Sequence, residues 1–132
     1  MLLDTHALLW LLQTDGGRLT RSTYAAIAAE MEAGSVSISA ISAWEIALLV
    51  AKRRLTLGSD VSTWLTKVIA YPSLRFVSVT PEIAVEAVAL PGVFHQDPAD
   101  RIIVATARLL GLPLVTADAK ILDYPHVVSL PA

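Results

Sequence analysis

MLLDTHALLW (residues 1–10) sets three apolar residues before an acid, a polar pair, and then a second apolar run. The order reads as a short buried strand, a turn and a helix, because a residue able to cap a helix follows directly on a run of strand length. Asp4 or Thr5 is the cap, since both side chains accept hydrogen bonds from the free N–H groups of a first helical turn. Capping accounts for one acid. Acids at equivalent places further along would give the carboxylate a second meaning.

Reading outward, HALLWLLQ has helical length, and TDGGRLT breaks it with paired glycines. RSTYAAIAAEMEAG follows as an Ala-rich helix stopped by Gly34. SVSIS alternates as a short strand, and ISAWEIALLVAKRRL is a helix whose basic end, Lys52, Arg53 and Arg54, suits its macrodipole. DVSTWLTKVIAY is a further helix and RFVSV a strand. TPEIAVEAVAL starts a helix with Thr80 as cap and Pro81 at the first helical position. DPADRIIVATARLLG repeats that arrangement and closes at Gly111; LPLVTAD and HVVSL are strands. Apolar strands alternating with helices predict an α/β fold, a mostly parallel sheet with helices on both faces.

In such a sheet ligands bind beyond the carboxyl ends of the strands, where strand-to-helix turns converge. Asp4 ends the first strand and Asp118 ends PLVTAD. Glu45 lies in the first turn of the helix after SVSIS, and Asp100 in that of the helix beginning DPADR. All four map to one rim. Ser42 with Glu45 reads as a capping box, Asp97 with Asp100 imitates one, and Asp118 alone reads as a loop or cap acid. Convergence outweighs these separate readings. Two carboxylates about 5 Å apart repel by roughly 3 kcal/mol at an effective dielectric near 20, so four together need protons or a cation. Without cysteine or paired histidines at ligand spacing, that cation is a hard one held by oxygen, Mg²⁺ or Mn²⁺.

Composition narrows the rest. The 132 residues suit a single domain, 1–132, with no repeat, charge block or dividing linker. Hydrophobic residues make up 55% and mean hydropathy is +0.60, more apolar than one core requires, so a homo-oligomeric or partner surface is expected. Runs such as ALLWLL are too short for a bilayer, no cationic leader is evident, and the absence of cysteine fits a reducing cytoplasm. A net charge of −2 gives no global attraction to nucleic acid, so such binding would be local. Trp10, Trp44 and Trp64 sit in helical apolar patterns, which points to core or interface packing.

LLDTHALLW, ISAWEIA, DPADRIIVATA and LVTAD, in this order and spacing, resemble the PIN-domain family, and within it the VapC-type ribonuclease toxins of prokaryotic toxin–antitoxin pairs. The resemblance runs from about residue 1 to residue 130. It implies a three-layer α/β/α sandwich with an acidic, Mg²⁺- or Mn²⁺-binding pocket at the carboxyl edge of the sheet. Asp4, Glu45 and Asp100 match the family's first three acids and Asp118 its more variable fourth; Asp97 matches a helix cap. Thr5 and Thr116 fall where the family often has a hydroxyl near the metal. The implied activity is hydrolysis of RNA phosphodiesters to 5′-phosphate and 3′-hydroxyl ends, by a protein that dimerises and is silenced by a small antitoxin.

RNA approaching an acidic rim needs cations beside it. Arg101 next to the third acid and Lys120 just past the fourth are the expected contacts, with Arg101 alternatively orienting Asp97 or Asp4. Lys52, Arg53 and Arg54 read first as helix-end compensation; His6 and His95 lie near the motifs, where they could contact substrate, but read first as structural. Two rival readings stand beside the nuclease. A phosphoryl-accepting receiver also gathers acids at strand ends, but the chain lacks an acid pair after the first strand and an aspartate after SVSIS. A non-catalytic PIN-fold binding scaffold is the other.

Overall fold

A computed structural model of the chain describes residues 1–13 and 16–132. Its strands are β1 (Leu2–Leu3), β2 (Val36–Ser39), β3 (Leu74–Val77), β4 (Leu114–Thr116) and β5 (Ser129–Pro131). They form one sheet in the order β3-β2-β1-β4-β5, with every pairing parallel rather than mostly so. The helices are α1 (Thr5–Leu11), α2 (Arg21–Glu32), α3 (Ile41–Ala51), α4 (Val61–Ile69), α5 (Pro81–Val88), α6 (Pro98–Leu110) and α7 (Ala119–Leu122).

Successive strand residues point to opposite faces, and the sheet uses this to divide the core in two. Leu3, Val36, Ile38 and Val115 pack with Leu8 of α1, Ile27 of α2, Ile46 of α3 and Val68 of α4. Leu2 and Leu114 pack on the other face with Ile83 of α5, Ile103 and Val104 of α6 and Ile121 of α7. The result is the expected three-layer α/β/α sandwich. β1 is only two residues long, yet it lies at the centre, pairing Leu2 with both Ser37 and Leu114. Both its leucines are fully buried.

Asp4, not Thr5, caps α1, accepting from the Ala7 N–H at 2.7 Å. Thr80 and Asp97 cap α5 and α6 as expected, each with proline at the start of the helix. Gly111 ends α6 with φ at 63°, the left-handed geometry that terminates helices. The break placed at TDGGRLT falls partly on Thr14 and Asp15, which lie outside the described residues.

Two local expectations are corrected, and one helix is added. Ser42 and Glu45 form no capping box: α3 begins at Ile41, whose N–H bonds back to Ser39 Oγ at 3.3 Å, so Ser42 is already inside the helix and Glu45 lies beyond its first turn. The last strand is Ser129–Pro131 rather than HVVSL, an edge strand on which a proline is tolerated because its missing donor faces away from the ladder. The short α7 follows directly on Asp118, which caps it. Among the described residues no helix is long and apolar enough to cross a membrane.

Candidate functional site

The parallel sheet sends every strand's carboxyl end to one edge, and the acids follow. Asp4 leaves β1, Glu45 rises from the second turn of α3, Asp97 and Asp100 occupy the start of α6, and Asp118 leaves β4. All five line one cavity of about 160 Å³, with Thr5, His6 and the buried side chain of Ile103 completing its walls. Grooves of about 420 Å³ beside α5 and α6 and about 390 Å³ at the far end of α6 are larger, yet neither brings carboxylates together. Convergent charge, not size, distinguishes the acidic cavity.

Each carboxylate is held by a different local device. Asp4 is 7% exposed and is fixed by the Ala7 N–H and by the Thr116 hydroxyl. Thr116, fully buried, also accepts from the Asp118 N–H at 3.0 Å, so a single hydroxyl ties the first and fourth acids together. Thr5 Oγ1 lies 2.6 Å from Glu45 Oε1 and 2.9 Å from Ser42 Oγ. A hydroxyl has one proton to give. Thr5 therefore donates to the carboxylate and accepts from Ser42. Asp97 Oδ1 accepts from the Asp100 N–H at 3.0 Å, and Asp118 Oδ1 from the Lys120 N–H at 2.9 Å.

Crowding acids out of water makes their charged forms costly. Burial raises the Asp100 carboxyl to about 7, helped by the neighbouring charges of Asp97, Glu45, Asp118 and Asp4. Burial likewise raises Asp4, although its hydrogen bonds from Thr116 and Ala7 oppose the shift, and it raises Glu45 against the bond from Thr5. A site in this state takes up protons or a cation. His95, Asp100 and Asp118 each offer a ligand atom, all within 4.8 Å of one another. His95 Nε2 is buried without a hydrogen-bond partner. Oxygen-rich donors plus one unpartnered imidazole nitrogen fit a divalent cation.

Residues 1–127 match the PIN domain family. The chain belongs to it. Ribonuclease VapC22 of Mycobacterium tuberculosis (strain ATCC 25618 / H37Rv) is 37% identical over 126 residues, spanning 96% of this PIN domain and 92% of that protein. Among solved structures, VapBC2 from Rickettsia felis, bound to a DNA fragment from its promoter, has a chain of TM-score 0.70 and 16% identity, covering 99% of this chain and 98% of its own. A chain of a toxin–antitoxin complex from Klebsiella pneumoniae has TM-score 0.63 and 24% identity, with 96% and 94% covered. At these identities the solved structures speak for the fold alone.

Within the PIN domain, the cations expected beside the acids are placed unequally. Arg101 does not enter the cavity, and it orients neither Asp97 nor Asp4. One residue along a helix turns a side chain by about 100°, which aims Arg101 at α5 while Asp100 faces the acids. Its guanidinium donates to the carbonyls of Ala87 (2.7 Å), Phe94 (2.9 Å), His95 (3.1 Å) and Val88 (3.2 Å). Lys120 is exposed and lines a neighbouring groove with His95 and Tyr124. Lys52, Arg53 and Arg54 are exposed at the opposite end of α3 from its contact with the acids.

The side chains that sequence reasoning underrated are Asp97, Ser42 and His95. Asp97 is a cap that also lines the cavity and raises Asp100. Ser42 stands behind Thr5. His95 read first as structural, although its place in HQDPAD, two residues before the cap of a helix that carries an acid, was the available signal. Trp64 packs against the core, whereas Trp44 is half exposed.

Proposed function

We propose that residues 1–132 act as one unit, a divalent-metal-dependent endoribonuclease. The observation that carries this reading is the meeting of Asp4, Glu45, Asp100 and Asp118 in one cavity at the carboxyl edge of the sheet. Asp4, Asp100 and Asp118, with Glu45, would hold Mg²⁺ or Mn²⁺. When bound, such an ion supplies a water of lowered pKa and neutralises charge on a phosphate oxygen.

The chain's own residues divide the remaining work. Asp4 and Asp118 are locked in register through Thr116, which fixes the distance between two arms of the site. Glu45, oriented by Thr5 and raised by burial, is suited to take a proton from the attacking water. Lys120, exposed near the rim, is placed to track the RNA backbone, whereas Arg101 is committed to carbonyls and holds the wall instead. Displacement at phosphorus leaves a 5′-phosphate and a 3′-hydroxyl.

The 37% identical relative is named a ribonuclease, and solved relatives of this fold are toxin–antitoxin complexes. Both support a toxin with an antitoxin as partner; the reading extends to a cytoplasmic protein that restrains translation or growth and pairs with a second copy of the chain. The half-exposed Trp44 and the exposed Val85 and Val88 offer apolar surface for such contacts.

The test is cleavage of total cellular RNA by the purified protein with Mg²⁺ or Mn²⁺ and with EDTA, beside folded Asp4→Asn and Asp100→Asn variants. Discrete cuts lost in EDTA and in both variants are expected. Metal binding without cleavage of any RNA by antitoxin-free protein would favour the non-catalytic scaffold.

A further inference from the structure

His95 belongs to none of the acid positions, and both its ring and its backbone are held. Phe94 packs against the ring at a tilt of 47° with centroids 4.4 Å apart, and Arg101 donates to the backbone carbonyl at 3.1 Å. The ring nitrogen Nε2 lies 3.1 Å from Asp100 Oδ2. At that distance a hydrogen bond would be ordinary, yet Nε2 has no hydrogen-bond partner and is shut off from solvent. The two atoms are close without being aimed at each other.

Two donors can approach in this way when both are directed at a third point. Ligands at adjacent corners of an octahedron with metal bonds of about 2.1 Å lie about 3.0 Å apart. The His95–Asp100 separation matches that edge, and Asp118 supplies a third donor within the same 4.8 Å group. His6 lines the cavity too, but it is exposed, faces Trp10 across 6.1 Å, and stands outside that group.

We propose that His95 Nε2 is a direct ligand of the divalent cation, so that this centre is a mixed nitrogen–oxygen site favouring Mn²⁺ over Mg²⁺. The inference rests on the metal-dependent reading above and refines it. An imidazole ligand favours transition ions, whereas an all-oxygen site suits Mg²⁺ equally well. Arg101 then has a definite task. By clamping the carbonyls of Phe94 and His95, it positions the ligand-bearing loop against α6.

The test is Mn²⁺ bound to the full chain, followed by titration of free ion and by electron spin-echo envelope modulation, which detects nitrogen bonded to manganese. Wild type should show ¹⁴N modulation that changes to a ¹⁵N pattern when histidine is isotopically labelled. His95→Phe keeps a ring against Phe94 but has no donor. It should lose the modulation, bind Mn²⁺ at least about tenfold more weakly, since loss of even an outer partner costs that much, and narrow the preference over Mg²⁺. His6→Ala should keep the modulation.

Bound Mn²⁺ without nitrogen modulation, or modulation that survives His95→Phe, overturns the proposal while leaving the metal centre intact. Failure of wild type to bind Mn²⁺ at all overturns the metal-dependent reading as well. Should His95→Phe not fold, His95→Leu, which also lacks a donor atom, provides the same comparison, and the isotope experiment on wild type with His6→Ala decides independently.

Discussion

Asp100 concentrates the conflict between folding and function. Its carboxyl, raised to about 7 by burial and neighbouring acids, binds its proton more tightly in the native chain than the ordinary value of 3.8 allows in the unfolded one. Between those values the native state holds more protons, so stability of the metal-free protein falls as pH rises through that window. The shifts of Asp4 and Glu45 act in the same direction. In EDTA, Tm should be lower at pH 8 than at pH 5.5, and Asp100→Asn should raise Tm at pH 8 by about 2–5 °C. A fall in Tm on that substitution would show that the carboxylate is stabilising in place. Residue spacing in the sequence revealed the acids but not all their partners. Ser42 and Glu45 are three apart, which suits a capping box and also one helical face; only the start of α3 at Ile41 decides between them, and no local signal marks that start.

Among the elements, α6 carries the greatest share of the site: a cap, an acid and the arginine that anchors its neighbour. Asp97→Ala should destabilise the chain by about 1 kcal/mol through loss of the cap, measured by urea unfolding at pH 7 in EDTA, less whatever relief it gives Asp100. Arg101→Met removes four charged hydrogen bonds to carbonyls and should cost about 2–3 kcal/mol. Arg101→Lys should recover little, because an ammonium cannot reproduce the planar fork. Full recovery by lysine in the same unfolding curves would contradict the clamp. Periodicity made the long helices legible, and Pro98 and Gly111 marked both ends of α6. It could not show α7, whose four residues are too few for a period, nor place β5, a half-exposed edge strand ending in proline. Nor could it show that adjacent residues in DR point to different neighbours.

Taken whole, the molecule is a sheet with its apolar core split between two faces and its charge gathered at one edge. Parallel order and the acidic rim were legible because strand, acid and helix recur as a unit along the chain. What was hidden is the apposition of α5 and α6 that brings His95 inward. Binding of a cation to the native state alone should stabilise by about 2.7 kcal/mol at a hundred times its Kd. Mn²⁺ should therefore raise Tm at pH 8, EDTA should reverse the rise, and Asp4→Asn should abolish it. An equal rise in Asp4→Asn would place the ion elsewhere.

The two-residue strand β1 has a further consequence, one of timing. It pairs with β2, which is made soon after it, but also with β4, and Asp4 is tied through Thr116 to Asp118. A chain growing on the ribosome thus displays Asp4 and Glu45 long before β4 has been synthesised. Until β4 docks beside β1, the nascent chain has half a pocket. A cavity assembled from such distant parts of the sequence stays incomplete until β4 has been made and has docked, so any chemistry that needs Asp4 and Asp118 together waits for that pairing.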